Sequence, residues 1–159
     1  MSGYDLIAFD MDGTLLNSKN KVSESSQEAI ARAVQLGKKI AVCTGRAVGE
    51  IEPYEENELQ KVRYFVCENG ALLYDSDTKE ILSSTVIPDE IVEKIIGIID
   101  GEDCMLIGYS DGRNLVDSTD AERMDYFMLR DTRSCSVRPA NIMMVCMMRI
   151  AKNISRWRK

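Results

Sequence analysis

The amino-acid sequence predicts an α/β fold built around a parallel sheet. Two short apolar runs, residues 6–9 and Lys39–Cys43, lack the polar alternation of a half-exposed strand, which is typical of strands buried on both faces. Between them, an apolar stripe over residues 29–34 has helical spacing, and Gly37 can end that helix. Strand, helix and strand over this length form a βαβ unit, for which a right-handed crossover is expected.

Cap residues, charge and proline predict the two helices of this first part. Ser23 or Ser25 can cap the first helix, and Ser25 with Glu28 has the spacing of a capping box. Residues 47–62 are acidic and predict a second helix, with its charges on a solvated face. Pro53 should interrupt this helix, because proline lacks the backbone N–H and clashes with the preceding turn.

A third strand at residues 63–67 and a hairpin over 72–82 complete a first predicted domain, residues 1–84. Residues 85–148 predict a smaller α+β unit. Its predicted elements are a helix over 88–99, a hairpin over 105–116, a helix over 119–129 and a strand over 142–147. Residues 149–159 form a basic tail, for which a frayed terminus is the main interpretation and a nucleic-acid or membrane patch the alternative.

The composition excludes several classes of function. The net charge is −6, which argues against nucleic-acid binding along the chain. No apolar run is long enough for a signal peptide or a membrane span, so we expect a cytoplasmic protein with no membrane partner. The five cysteines form no C-x-x-C pair, and there is no histidine. This excludes Ser-His-Asp and Cys-His catalysis and histidine-ligated zinc, and leaves acid–base chemistry to other side chains.

The first candidate site follows the first strand. Asp10 ends that strand, Asp12 comes two residues later, Gly13 allows a sharp turn, and Thr14 can tie the turn down. Ligands of open α/β sheets bind beyond the carboxyl ends of the strands. Two carboxylates so close resist ionising together unless a cation lies between them, which favours a metal site. The alternative is a surface turn with acidic residues.

The next two strands also end in polar residues. Thr44, Gly45 and Arg46 follow the second strand and offer a hydroxyl, an open backbone and a guanidinium, a plausible phosphate cradle. The alternative is a strand-end turn with a surface arginine. Asn69 lies at the end of the third strand, within the sequence Glu-Asn-Gly-Ala of residues 68–71.

These three segments, in this order, resemble the haloacid dehalogenase-like hydrolases, and among them the Cof-like phosphatases. The sequence Asp-Met-Asp-Gly-Thr at 10–14 resembles the first motif of the family, Val-Cys-Thr-Gly-Arg at 42–46 its second, and residues 68–71 the segment that precedes its cap. The resemblance implies a three-layer Rossmann-like parallel sheet with an α+β cap inserted after the third strand.

The same resemblance implies a magnesium-dependent phosphatase that acts on a small phosphorylated metabolite, such as a sugar phosphate. Asp10 would be the nucleophile and form an aspartyl-phosphate, and Asp12 would be the general acid and base. Mg²⁺ would bind the Asp10 carboxylate and the Asp12 backbone carbonyl. The implied phosphate-binding residues are Thr44, Gly45, Arg46 and Asn69.

Two further motifs of the family, a lysine and an acidic Gly-Asp-Gly segment, have no counterpart after Asp125. The resemblance thus implies a chain that ends within its cap, with an incomplete sheet. The first strand would then be an unpaired edge, open to self-association, and we expect residues 142–146 to pair within the cap. The alternative is that residues 142–146 fill the vacant place beside the first strand. A non-catalytic phosphate- or metal-binding fragment is the alternative function. A response-regulator receiver is a weaker one, because receivers place the phospho-accepting aspartate on a later strand.

Overall fold

A computed structural model describes residues 3–99, 105–110, 112–116 and 145–149. The chain divides into two compact units, the first ending at Thr85 and the second beginning at Val86. The predicted helix over 119–129 and residues 150–159 of the predicted tail lie outside the described residues. The division into domains 1–84 and 85–148 with a tail therefore stays a prediction.

The first unit contains a five-stranded sheet in the order β1-β2-β3-β4-β5. The strands are β1 (Leu6–Asp10), β2 (Lys39–Cys43), β3 (Tyr64–Cys67), β4 (Leu72–Asp75) and β5 (Glu80–Ser84). The first three strands are parallel, as predicted. The predicted hairpin is confirmed as β4 and β5, which add to the sheet in antiparallel orientation and make it mixed.

Two helices connect the parallel strands. Helix α1 (Glu24–Gln35) begins after Ser23, whose hydroxyl accepts a hydrogen bond from the backbone N–H of Ser26 at 3.2 Å. Ser23 is therefore the cap, and the predicted capping box of Ser25 and Glu28 is wrong. Helix α2 (Val48–Glu56) continues through Pro53, so the predicted interruption is also wrong. The proline costs the helix one backbone hydrogen bond. The helix is stabilised nevertheless, because the fully buried side chain of Ile51 packs in the core.

The core lies around β2 and β3. Ile40, Val42 and Phe65 are buried there, together with Met11 from the turn after β1. The prediction of burial on both faces is confirmed for β2 and wrong for β1, whose Leu6 is 54% exposed. Leu6 is exposed because, among the described residues, β1 pairs only with β2 and forms one edge of the sheet. The predicted open edge stays a prediction, since β1 is an edge strand only among the described residues.

The second unit combines one helix with a three-stranded sheet. Its elements are α3 (Asp89–Ile99), β6 (Met105–Ser110), β7 (Arg113–Val116) and β8 (Val145–Arg149). Strands β6 and β7 form the predicted antiparallel hairpin, and β8 lies parallel to β6 on its other side. The late strand therefore pairs within this unit, as predicted, but it runs to Arg149, which was assigned to the tail. Residues 142–144 of the predicted strand lie outside the described residues. In the described parts of both units, no helix has the length and apolar composition needed to cross a membrane.

Candidate active site

The loops after β1, β2 and β3 meet at one edge of the sheet, because the carboxyl ends of parallel strands lie together. Backbone hydrogen bonds join the second and third loops. The N–H of Asn69 donates to the carbonyl of Thr44 at 3.2 Å, and the N–H of Glu68 donates to the carbonyl of Arg46 at 3.0 Å. The two loops therefore form one continuous surface.

The loop after β1 is a single wide turn, Met11–Leu15. The N–H of Leu16 donates to the carbonyl of Met11 at 3.0 Å and closes the turn. Gly13 has a φ of 77°, a left-handed conformation that favours glycine. The hydroxyl of Thr14 donates to Oδ2 of Asp10 at 2.8 Å. The Thr14 hydroxyl thus ties the turn down, as predicted, and does so by bonding the Asp10 carboxylate.

The carboxylate of Asp12 joins the first loop to the second. Arg46 donates to it twice, from Nη2 to Oδ1 at 2.6 Å and from Nε to Oδ2 at 3.0 Å. The hydroxyl of Thr44 lies 3.4 Å from Oδ2 and donates to it. The hydrogen bond from Arg46 lowers the pKa of Asp12 below its ordinary value, against the opposing effect of burial. Asp12 is therefore held as a carboxylate.

Two further contacts hold Arg46 in place. Its guanidinium carbon lies 5.3 Å from the centre of the Tyr54 ring, a cation–π distance. Its backbone N–H donates to the hydroxyl of Thr44 at 3.2 Å. Bonding to Asp12 raises the pKa of Arg46, which keeps its positive charge at every accessible pH. Arg46 thus lies between the acidic loop and helix α2.

Gly45 and Asn69 lie in close contact. A Cβ atom at Gly45 would lie 2.9 Å from Oδ1 of Asn69, closer than such atoms pack, so glycine is required for this approach. Glu68 and Asn69 have positive φ angles of 54° and 56°, which are uncommon for residues with side chains. The Asn69 amide therefore lies against the backbone of the second loop.

The structure brings most of the predicted residues together. Asp12, Thr44 and Arg46 form one hydrogen-bonded group, and Gly45 contacts Asn69. Asp10 lies at the end of the adjacent strand and is held by Thr14. The contact of Tyr54 with Arg46 was not predicted, although Tyr54 is an aromatic residue shortly after the arginine in an otherwise acidic segment. The described residues contain no group of three or more His, Cys, Asp or Glu side chains placed to hold a metal ion.

Two known proteins that are similar to this chain are both named as phosphatases. The Bacillus subtilis protein YxeH, named as a candidate phosphatase, is 43% identical over 82 residues, which cover 50% of this chain and 30% of YxeH. Pyridoxal phosphate phosphatase YbhA of Escherichia coli is 39% identical over 83 residues, which cover 52% of this chain and 30% of YbhA. The matched segment is therefore under a third of each of these relatives.

Solved structures extend the similarity over more of the chain. A haloacid dehalogenase-like hydrolase from B. subtilis matches with a TM-score of 0.67 and 26% identity, over 78% of this chain and 43% of that one. A family model described as haloacid dehalogenase-like hydrolase matches residues 7–144. Fold, motif positions and family model agree, and the chain belongs to the haloacid dehalogenase-like hydrolases.

Proposed function

We propose that this chain carries the phosphoryl-accepting part of a magnesium-dependent phosphatase that acts on a small phosphorylated metabolite. The observation that supports this most directly is the group of Asp12, Thr44 and Arg46 beside the Asp10 carboxylate, at the carboxyl ends of parallel strands. A guanidinium and a hydroxyl are among the partners that a phosphate needs. The name of the relative YbhA, a pyridoxal phosphate phosphatase, supports a substrate of this class.

In the proposed mechanism Asp10 is the nucleophile. One carboxylate oxygen of Asp10 forms a bond to phosphorus while the bond from phosphorus to the ester oxygen breaks. Asp12 gives a proton to the departing oxygen, so the alcohol leaves neutral. Asp12 then takes a proton from water, whose oxygen attacks the phosphorus of the aspartyl-phosphate. Inorganic phosphate leaves and the Asp10 carboxylate is restored.

The hydrogen bonds from Arg46 bear on the protonation state of Asp12 in the proposed steps. Because Arg46 holds Asp12 as a carboxylate, the observed arrangement suits the second step, in which Asp12 accepts a proton. The first step requires Arg46 to move its hydrogen bonds from Asp12 to the phosphate. Thr44, Gly45 and Asn69 would contact the remaining phosphate oxygens through hydroxyl, backbone and amide groups.

The residues present fit a magnesium site built from oxygen ligands. Mg²⁺ is bound by one or two carboxylates, with water and substrate phosphate filling its other positions. The Asp10 carboxylate, at the end of β1, and the Asp12 backbone carbonyl, in the turn that follows, would hold the ion. When bound, the ion would offset the negative charge of the phosphate and the carboxylates.

A second candidate function is a phosphate-binding chain without turnover. Two observations favour it: the described residues hold no cluster of three metal-ligating side chains, and the Asp12 carboxylate is already committed to Arg46. Such a chain would bind phosphate through Arg46 and Thr44 and release it unchanged.

The decisive experiment measures turnover and phosphoenzyme formation together. The chain is incubated with Mg²⁺ and p-nitrophenyl phosphate, and separately with beryllofluoride, an analogue of the phosphoryl group. Asp10→Asn should abolish both hydrolysis and beryllofluoride binding. Asp5→Asn, at an exposed residue just before β1, is the matched control and should change neither. Asp12→Asn should reduce turnover on the order of 10²–10⁴-fold through loss of the general acid.

Equal hydrolysis by Asp10→Asn and the wild type would exclude Asp10 as the nucleophile. Phosphate binding that depends on Thr44, without any hydrolysis by the wild type, would establish the second candidate instead.

A further inference from the structure

One pair of neighbouring residues in the candidate site can react with itself. Asn69 is followed by Gly70, and no other asparagine of the sequence precedes a glycine. In such a pair the backbone nitrogen of the glycine can attack the side-chain amide, because the glycine has no Cβ to hinder the approach. Both residues are exposed, so water and hydroxide can reach them. The mechanism above uses the Asn69 amide for phosphate binding and does not involve this reaction.

The reaction needs only water. The nitrogen of Gly70 forms a bond to Cγ of Asn69, the bond from Cγ to Nδ2 breaks, and ammonia leaves with the proton of the Gly70 N–H. The product is a five-membered succinimide ring. Water then opens the ring at one of its two carbonyl carbons, and the Gly70 nitrogen regains a proton. Opening at Cγ gives aspartate, and opening at the backbone carbonyl carbon gives isoaspartate.

The backbone conformation of Asn69 keeps the reacting atoms apart. Its φ is 56° and its ψ is 33°, in the left-handed region. The ring can close only when ψ brings the Gly70 nitrogen to the same side of the Cα–C bond as Cβ. At the observed ψ this nitrogen lies on the opposite side. Asn69 must therefore leave its left-handed conformation before the ring can form.

Contacts with the second loop hold Asn69 in this conformation. Its N–H donates to the carbonyl of Thr44 at 3.2 Å, and the N–H of Ala71 donates to the carbonyl of Glu68 at 3.1 Å across the turn. A Cβ atom at Gly45 would lie 2.9 Å from Oδ1, 3.5 Å from Cγ and 3.6 Å from Nδ2 of Asn69. The whole side-chain amide therefore packs against Gly45, and rotation of Asn69 toward ring closure breaks this packing.

We propose that Asn69 is a modification site, which is converted to aspartate or isoaspartate when the loop after β3 opens. The closed loop, held against Gly45, delays the reaction. Either product puts a negative charge in place of the neutral amide, and isoaspartate also adds one atom to the main chain. The effect on phosphate binding rests on the proposed function, because a carboxylate at this position would repel a bound phosphate.

The test incubates the whole chain for days at mildly alkaline pH and locates the conversion of amide to acid by mass spectrometry of its peptides. Asn69 should be converted, whereas Asn20 and Asn57 should stay intact. Both of these are exposed, and Asn20 has a similar φ of 55°, but neither precedes a glycine. In concentrated urea, which opens the loop, conversion should be at least about tenfold faster, since tenfold corresponds to an opening free energy of only about 1.4 kcal/mol.

Two variants test the role of the contact with Gly45. Gly45→Ala should speed conversion of Asn69 about three- to tenfold in the folded chain, because the new Cβ displaces the amide, and should have no effect in urea. Gly97→Ala, with open space around its Cβ, is the control and should react as the wild type does. Circular dichroism checks that both variants are folded during the incubation. Asn69→Gln should stay unconverted, because its longer side chain would have to form a six-membered ring.

Equal rates in the folded chain and in urea would overturn the proposal, as would equal rates in Gly45→Ala and the wild type. Conversion of Asn20 or Asn57 as fast as Asn69 would also overturn it. Calorimetry with inorganic phosphate separates this inference from the proposed function. The incubated wild type should lose phosphate binding in step with conversion, while Asn69→Gln shows no loss during the same incubation. Conversion of Asn69 in a chain that binds no phosphate even when fresh would support the modification site and count against the proposed function alone.

Discussion

Arg46 donates to both carboxylate oxygens of Asp12, through Nη2 at 2.6 Å and Nε at 3.0 Å. The two residues lie on different loops, so this pair joins the loops that follow β1 and β2. The side chain of Asp12 is 43% exposed, and solvent screening therefore makes the pair more important for geometry than for stability.

Arg46→Lys should weaken phosphate binding although it keeps the charge. Lysine cannot reproduce the planar two-pronged contact or the stacking on Tyr54. We expect the dissociation constant for inorganic phosphate, measured by calorimetry, to rise on the order of tenfold, as for one lost charged hydrogen bond. Arg32→Lys, on the exposed side of α1, is the control. Unchanged affinity in Arg46→Lys would show that the fork is not used for phosphate.

Gly45→Ala should displace the Asn69 amide, because the new Cβ would lie 2.9 Å from its Oδ1. Phosphate affinity should fall about as far as in Asn69→Ala, and the double variant should be no worse than Asn69→Ala alone. Gly97→Ala on α3 is the control, since no heavy atom lies within 4 Å of a Cβ there. It should stabilise the helix by about 0.5–1 kcal/mol. Additive losses in the double variant would contradict the contact.

Asp75→Asn should lower stability at neutral pH and matter less in acid. Arg63 donates to Asp75 at 2.7 and 2.9 Å and lowers the pKa of its carboxyl group. Because the pKa of this carboxyl group is lower in the folded than in the unfolded protein, the group adds to the free energy of unfolding above its unfolded pKa of about 4. This contribution is lost as the pH falls through the folded pKa. Urea unfolding followed by circular dichroism should therefore give a difference between wild type and variant that narrows below about pH 4.

Asp77→Asn is the matched control for this pH series. Asp77 lies 3.6 Å from Nε of the same Arg63, but its side chain is 64% exposed. Its substitution should have little effect at any pH. A difference for Asp75→Asn that stays constant from pH 3 to pH 7 would show that its charge is not the cause.

Leu6→Lys should reduce self-association. Among the described strands β1 has a neighbour on one side only, and an exposed apolar edge can pair with a second chain. A lysine there opposes such pairing through charge repulsion. Sedimentation velocity over a range of concentrations should show less dimer than for the wild type. Leu36→Lys, at an exposed leucine just after α1, is the control. Equal dimer in both variants would exclude the edge as the contact.

Local signals in the sequence predicted the elements but not all of their surroundings. An apolar run predicted the bounds of β2, and apolar runs with a polar turn between them predicted the β4–β5 hairpin. These signals are local, because they depend only on residues close together in the sequence. The acidic helix was expected to be solvated, yet Glu55 is buried and bonded to Lys79 from the hairpin turn. Such pairing depends on the tertiary fold, and no pattern within one helix reveals it.

In the candidate site, too, local signals predicted the residues but not their tertiary contacts. The strand ends correctly indicated which loops would meet, and the motifs named the residues in them. The direct pairing of Asp12 with Arg46 was not predicted, because it joins residues on separate loops through side-chain geometry alone. The support from Tyr54 was missed for the same reason.

The left-handed conformations of Glu68 and Asn69 also bear on the order of folding. Each costs a residue with a side chain on the order of 1 kcal/mol, so the isolated segment does not favour this turn. The compensating bonds go to the carbonyls of Arg46 and Thr44, which are distant in the chain. We therefore expect this turn to be completed only after β2 and β3 have paired. We expect the surface formed by these two loops to be completed late in folding and to open early in local unfolding.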